Sequence, residues 1–367
     1  MSLLFSPLRL RSLELANRIQ VSPMCQYSAV DGSMNDWHLM HYGSLALSGA
    51  GLLVMEATHV TPQGRITHGC SGLYCEDNAA ALARVLQFCR AHSDIAIGLQ
   101  LGHAGRKASS ERPWEGRGSL AAGASPWPVV GASALPFAPG WPVPEALDLA
   151  GLRSVREAFV RATERAAELG FDLVEVHSAH GYLLSTFLSP LSNRRTDAYG
   201  GSLENRMRFP LETFEAMRAA WPAERPMGVR IHGSDWTDGG WGVDDAVAYA
   251  SALKARGCDY VTVSSGGVAA SAQIPVGPGY QVPLAEAVRR ETGLPTCAVG
   301  MITGAVQAEA ILAEGRADQV ALARALLFNK HWPWAAAAAL GASVRLPGQY
   351  ARAGAATWAG TIPTGAA

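Results

Sequence analysis

The run HSAHGYL (177–183) places two imidazoles three residues apart, with a phenol two residues further on. One short turn of this kind aims two hydrogen-bond donors and one proton source into a pocket, which suits the capture of an oxygen that gains negative charge. Two other readings of the same residues stand beside it. His177 and His180 could be core-edge histidines with Tyr182 as packing, or, with Glu175 added, zinc ligands, although the helical HExxH arrangement is missing. His68, Cys70 and Cys75 also tempt a metal assignment, but a structural zinc needs four convergent ligands and no CxxC spacing occurs among the six cysteines, Cys25, Cys70, Cys75, Cys89, Cys258 and Cys297. The runs VGMITG (299–304) and ARAL (323–326) combine glycine-bearing turns with an arginine. Such turns let backbone N–H groups approach a phosphate while Arg324 supplies charge.

Groups so far apart in sequence meet only if a fold brings their segments to one place. Eight short runs rich in Val, Ile and Leu lie at 18–24, 51–57, 95–101, 171–177, 227–231, 260–264, 295–299 and 319–323. Longer amphipathic stretches alternate with them, the pattern of a parallel sheet covered by helices. A helix is expected over 149–169, and another over 244–256, with an apolar stripe of Val247, Tyr249, Ala250, Leu253 and Lys254. Gly170 and Gly257 then serve as C-terminal caps. No G-x-G-x-x-G turn follows the first strand, which favours a single-domain (β/α)8 TIM barrel over a doubly wound sheet. Barrel chemistry gathers at the C-terminal ends of the strands, which here read SPMCQY, EAT, QLGHAGRK, HSAHGYL, RIHGSD, SSGG, VGMITG and ARAL. The Pro-, Gly- and Trp-rich segment 111–145 is a long connection after strand three, placed to cap the site. The barrel is expected to occupy 1–342, and 343–367 to form a Gly/Ala-rich tail available for subunit contact.

Composition narrows the partners. The chain of 367 residues is 49% hydrophobic and 17% charged, enough apolar material for a large core. Its 30 basic and 31 acidic residues leave a formal charge of -1, so nothing favours nucleic acid or an anionic membrane surface, and small molecules are the expected ligands. The first residues, broken by Pro7 and by Arg9, Arg11 and Glu14, lack the apolar core of a signal peptide, and no stretch is long and apolar enough to span a bilayer. A cytoplasmic location is the default expectation.

Taken in order, SPMCQY, QLGHAGRK, HSAHGYL, SNRRTDAYGGSLENR (192–206), AVGMITG and ALARAL resemble the Old Yellow Enzyme family, most closely its bacterial thermophilic-like, xenobiotic-reductase branch. The resemblance runs from about Leu4 to Arg352. It implies a noncovalent FMN over the barrel mouth, with Ser22, Pro23, Met24, Cys25, Ala57, Gln100 and Arg230 around the isoalloxazine and Gly300 and Arg324 on the phosphate. It also implies an ene-reductase. NADPH or NADH reduces FMN, and an enone, enal or nitroalkene is then reduced by hydride from flavin N5 and a proton from Tyr182. His177 and His180 would hold the substrate oxygen, Tyr27 would assist or shape the pocket, and Cys25 would tune the flavin. QYAR (349–352) is similar to a C-terminal motif whose arginine, here Arg352, reaches a neighbouring subunit's site, which implies a homodimer or homotetramer. Relatives that add an iron–sulfur cluster are disfavoured by the missing cysteine group, and a silent flavin-binding barrel by the retained His177, His180, Tyr182 and Arg230.

Overall fold

The computed structural model describes residues 2–116 and 118–354. Among these, eight parallel strands close into a barrel, β1 Ile19–Val21, β2 Leu52–His59, β3 Ala96–Gly102, β4 Leu173–Ser178, β5 Met227–His232, β6 Tyr260–Ser264, β7 Thr296–Ala298 and β8 Gln319–Leu322, with β8 paired back onto β1. All eight expected runs are strands. The expected bounds were too generous at the first, where pairing stops at Val21, because the backbone of 22–27 turns away to line the mouth and Tyr27 takes a left-handed φ of 52°.

The strands are apolar on both faces because helices cover the outside and side chains fill the inside. The main crossover helices are α1 Asp36–Ala46, α2 Glu76–His92, α3 Leu149–Glu168, α5 Leu203–Ala220, α6 Val243–Lys254, α7 Val282–Thr292 and α8 Ala305–Ala313. Three short helices, α4 Leu183–Leu188, α9 Arg324–Phe328 and α10 Trp332–Ala339, complete the set. Helix α3 begins where its cap residue dictates, with the Asp148 carboxylate accepting from Gly151 N–H at 2.7 Å, and ends at Gly170 with φ +84°. On α6 the stripe needs one correction: Ala246, Tyr249, Ala250 and Leu253 are buried, whereas Lys254 is exposed and donates to the Thr292 carbonyl at 2.6 Å. A lysine stem follows an apolar face, but its ammonium stays in water. Phe159, Phe171, Phe187, Phe209 and Phe214 are fully buried in the shell around the barrel, each worth about 1.5–3 kcal/mol of burial.

The bottom of the barrel is closed by a hairpin, Leu8–Leu10 with Leu13–Leu15, whose Leu10 and Leu15 pack on Leu52, Ala96, Leu173 and Tyr260. Inside, Glu175 is fully buried and accepts from Gln100 Nε2 at 2.7 Å, Thr262 Oγ1 at 2.6 Å and Tyr260 Oη at 3.3 Å. A buried carboxylate is tolerable only when so satisfied. The top is left for chemistry. The pairing of β2 with β3 shifts register between Met55 and Thr58, an irregularity that places Glu56 and Ala57 at the rim.

Four buried histidines are held neutral by desolvation: His38, His41 and His59 are pushed from 6.5 down to about 4, and His103 to about 3. A depressed folded pKa contributes stability that is present above pH 6.5 and lost as pH falls toward 4. Burial raises Glu56 to about 7, which works in the opposite sense, but it is one group against four. The thermal unfolding midpoint, followed by circular dichroism, is therefore expected to fall by about 5 °C or more between pH 7.5 and pH 5. A flat profile would mean that these imidazoles are not buried neutral.

Candidate active site

The HxxHxY run occupies the turn between β4 and α4. His180 and Gly181 both have left-handed backbone, at φ 61° and 73°. A side chain on Gly181 would begin 2.1 Å from the Gly267 carbonyl oxygen, so only glycine lets the loop after β6 press against this turn. Lys107 fixes the same contact from the β3 end. Its ammonium donates to the carbonyls of His180 at 2.8 Å and Gly267 at 3.0 Å, and lies 4.6 Å from the Phe137 ring and 5.1 Å from the Tyr182 ring. Arg106 beside it donates to the carbonyls of Leu135, Pro136 and Val268. Burial, with Arg106 adding repulsion, lowers Lys107 to about 8.

This packing brings His177, His180 and Tyr182 together, with ring centroids 4.9–6.5 Å apart and each pair edge to face. Ala179 N–H donates to His177 Nδ1 at 3.2 Å, which puts the proton of the neutral ring on Nε2. His177 Nε2 is 3.2 Å from His180 Nδ1, and His180 Nε2 is 2.8 Å from Ser264 Oγ. Desolvation, reinforced by the charge of Arg230, holds both imidazoles well below their ordinary 6.5, and burial holds the Tyr182 phenol well above 10. The turn thus presents neutral N–H donors and a phenol that keeps its proton.

Across the mouth, Cys25 and Tyr27 pack with Tyr182 and Trp127 against Ile66, Cys70, Ala104, Ala108 and Val129. Burial and the neighbouring Cys70 and Glu56 raise the Cys25 thiol well above 9, so it is held as the neutral thiol. Segment 111–145 does reach the mouth: Trp114 meets the Tyr27 ring edge-on at 6.0 Å, and Arg106 lies over Phe137.

An FMN fits the remaining residues. Arg230 is half-buried and donates to Ser22 Oγ at 3.1 Å, while its Nε has no hydrogen-bond partner among the described residues, a cation waiting for an oxygen-rich ligand. Gln100 commits Nε2 to Glu175, which leaves Oε1 to accept from a pyrimidine N–H. Gly300 adopts φ +109°, and a Cβ there would sit 2.7 Å from Gln281 Nε2, so the β7 turn is a close-approach cradle only glycine can form. Arg324 is exposed and opens α9, directly after β8, the strand paired with β7. Ser22, Pro23 and Met24 line the turn after β1, and Ala57 is buried at the irregular end of β2.

The family model described as "NADH:flavin oxidoreductase / NADH oxidase family" matches residues 3–341. The chain belongs to this family. It is 46% identical over 353 residues to an NADPH dehydrogenase of Geobacillus thermodenitrificans (strain NG80-2), covering 96% of this chain and 98% of that protein, and 41% identical over 355 residues to an NADPH dehydrogenase of Listeria innocua serovar 6a (strain ATCC BAA-680 / CLIP 11262), covering 96% and 99%. Among solved structures it resembles morphinone reductase, with TM-score 0.77 and 29% identity over 94% of this chain and 91% of that one. A 2-naphthoyl-CoA reductase shares the fold at TM-score 0.83 and 23% identity, covering 93% of this chain and 52% of that one. Membership makes the protein an oxidoreductase that uses FMN and a nicotinamide donor.

Several residues that hold these turns in place were not singled out from the sequence. Glu56 accepts from Gln26 N–H and Tyr42 Oη, both at 3.0 Å, and so ties down the 22–27 turn. Ser264 and Gln281 back His180. The signal available was their position: EAT and SSGG are strand ends, but nothing in them marks an acid or a hydroxyl as turned toward a neighbouring strand. Arg352 lies exposed on the 3-10 turn Gly348–Ala353, and the remainder of the expected contact segment, 355–367, is outside the described residues. The Gly181→Ala variant should lower stability by about 2–4 kcal/mol, from backbone strain and the clash with Gly267. Urea unfolding would report it, and a loss below 0.5 kcal/mol would show that the turn is not clamped.

Proposed function

We propose that the protein is an ene-reductase, coupling NAD(P)H oxidation to reduction of the activated C=C bond of an enone, enal or nitroalkene. The observation that supports this most is the β4 turn, where two neutral imidazoles and a protonated phenol converge at the barrel mouth. Bound FMN would supply the redox chemistry, passage of hydride from the nicotinamide to the alkene's β-carbon.

The chain's own residues do the rest. His177 and His180 hold the carbonyl or nitro oxygen by N–H donation, and these bonds strengthen as negative charge gathers there, so they favour the transition state over the bound alkene. Tyr182 gives its proton to the α-carbon, and water restores it. One NAD(P)H and one proton thus convert one alkene to its saturated product. Tyr27 shapes the opposite wall, and Cys25, Ser22, Pro23, Met24 and Ala57 would form the surface that receives the isoalloxazine. Gln100 and Arg230 would bind its pyrimidine edge, and Gly300 and Arg324 its phosphate. In a homo-oligomer Arg352 would complete the pocket of the next subunit, and residues 343–367 would be the segment that carries it there.

Three measurements test this. Anaerobic addition of NADPH should bleach the flavin absorption of the purified protein, and 2-cyclohexenone should restore it. A protein that stays yellow with NADPH would be a flavin-binding barrel without this chemistry. In Tyr182→Phe, flavin reduction by NADPH should stay within about two-fold while enone reduction falls by about 10²-fold or more, the scale of a lost general acid. Equal loss in both half-reactions would remove Tyr182 from the proton-donor role. Arg324→Ala should weaken FMN binding by about ten-fold or more, the worth of a charge-assisted contact, as read by fluorescence of released flavin on dilution.

A further inference from the structure

The bonds around His180 contain a conflict with the proposed function, on which this inference rests. With His177 protonated on Nε2, the 3.2 Å contact to His180 makes His180 Nδ1 the acceptor. His180 then carries its proton on Nε2 and donates to Ser264 Oγ at 2.8 Å, and Ser264 donates onward to Gln281 Oε1 at 3.2 Å. In that state only one of the two rings offers a donor to the pocket. An oxygen bound by both rings must lie between His177 Nε2 and His180 Nδ1, and both nitrogens must then bear hydrogen. For the neutral His180 ring this forces Nε2 to become an acceptor, which is acceptable in a buried site only if a donor faces it.

Ser264 is the group that can meet this requirement. A hydroxyl can accept or donate by rotation about one bond. Its release from Gln281 costs little, because Ser265 Oγ donates to the same Gln281 Oε1 at the shorter distance of 2.6 Å. Ser264 and Ser265 are both buried, and Gln281 is 4% exposed, so water does not substitute for them readily. We propose that Ser264 is a positioning residue that switches His180 from the Nε2–H to the Nδ1–H tautomer when the substrate oxygen binds, with Ser265 holding Gln281 so that Ser264 is free to turn. The change moves one proton from Nε2 to Nδ1 of a single ring and creates or consumes none.

The tautomer is directly readable. In FMN-loaded protein carrying 15N-labelled histidine, long-range 1H–15N correlation should show His180 protonated on Nε2 without ligand and on Nδ1 with saturating 4-nitrophenol, an oxygen ligand that cannot be reduced at a C=C bond; His177 should be protonated on Nε2 throughout. Ser264→Ala should weaken 4-nitrophenol binding about ten-fold, one hydrogen bond's worth, and Ser264→Thr should recover most of it. Ser265→Ala, which touches neither imidazole, should also weaken binding several-fold, because Gln281 then reclaims the Ser264 hydroxyl. If the phenol perturbs both histidines while His180 keeps one tautomer, the switch is wrong and the oxygen-binding role stands. If the phenol perturbs neither ring, the oxygen-binding role fails and the switch falls with it. Ser265→Ala binding as tightly as the unaltered protein would also overturn the arrangement, independently of how Ser264→Ala behaves.

Discussion

The oxygen of Gly267 occupies the space where a side chain of residue 181 would begin. That approach is what lets the turn after β4 lie flat against the loop after β6, and the rest of the mouth follows from it. With the two backbones in contact, His180 is held in a left-handed conformation that few imidazoles adopt, and its ring falls within reach of Ser264. Lys107 and Arg106 then close the junction by donating to the carbonyls that such a tight turn leaves outside any ladder. Strain at this turn is held by the surroundings rather than by the turn itself, as is common where geometry serves chemistry.

The electrostatic design of the mouth is lopsided. Its cations, Arg106, Lys107 and Arg230, bond carbonyl or hydroxyl oxygens. Of the nearby carboxylates, Glu175 turns down into the barrel interior and Glu56 outward to Tyr42 and Gln26, while Asp235 favours the charge of Arg106. The positive charge of Arg230 and Lys107 reinforces the burial that keeps His177 and His180 neutral, since a charged imidazole would add to it. It also favours whatever gathers negative charge at the centre, which in a flavin site includes both the electron-rich ring and the oxygen of an acceptor.

Most of the architecture was legible in the sequence because strand burial on two sides and helix burial on one leave different periodicities. Runs such as LVEVH and YVTVS and the Gly170 stop after α3 are local signals. The short α4, α9 and α10 escaped, being five to eight residues long and framed by site loops rather than by caps. In the site, the motif residues were visible because each sits at a strand end in a distinctive run. Glu56, Ser264, Ser265 and Gln281 were not, because their meaning lies in contacts across strands. The Ser265 to Gln281 bond spans sixteen residues and the His180 to Ser264 bond eighty-four, and nothing in either neighbourhood announces the other. The lysine assigned to the α6 stripe failed for a simpler reason: periodicity counts its apolar stem and ignores its ammonium.

The capping segment is bonded to the barrel at several points along its length: Trp127 Nε1 donates to the Gln63 carbonyl, Arg106 to the Leu135 and Pro136 carbonyls, and Arg195 to the Ala132 carbonyl. Glu111 N–H and Leu120 N–H bond the Gly118 and Ser109 carbonyls and close one excursion, and Val130 and Gly131 pair with Glu145 and Ala146 to close another. Between these points the stretch 121–126 is exposed throughout. Residues can be added, lost or exchanged there without shifting any strand against its neighbour. The molecule therefore separates two kinds of heritable change. Alterations in the strand-end turns are constrained by the reaction, whereas alterations in the excursions reshape the outer wall at little cost to folding, so lineages that share this barrel are free to diverge in what they admit while keeping what they do.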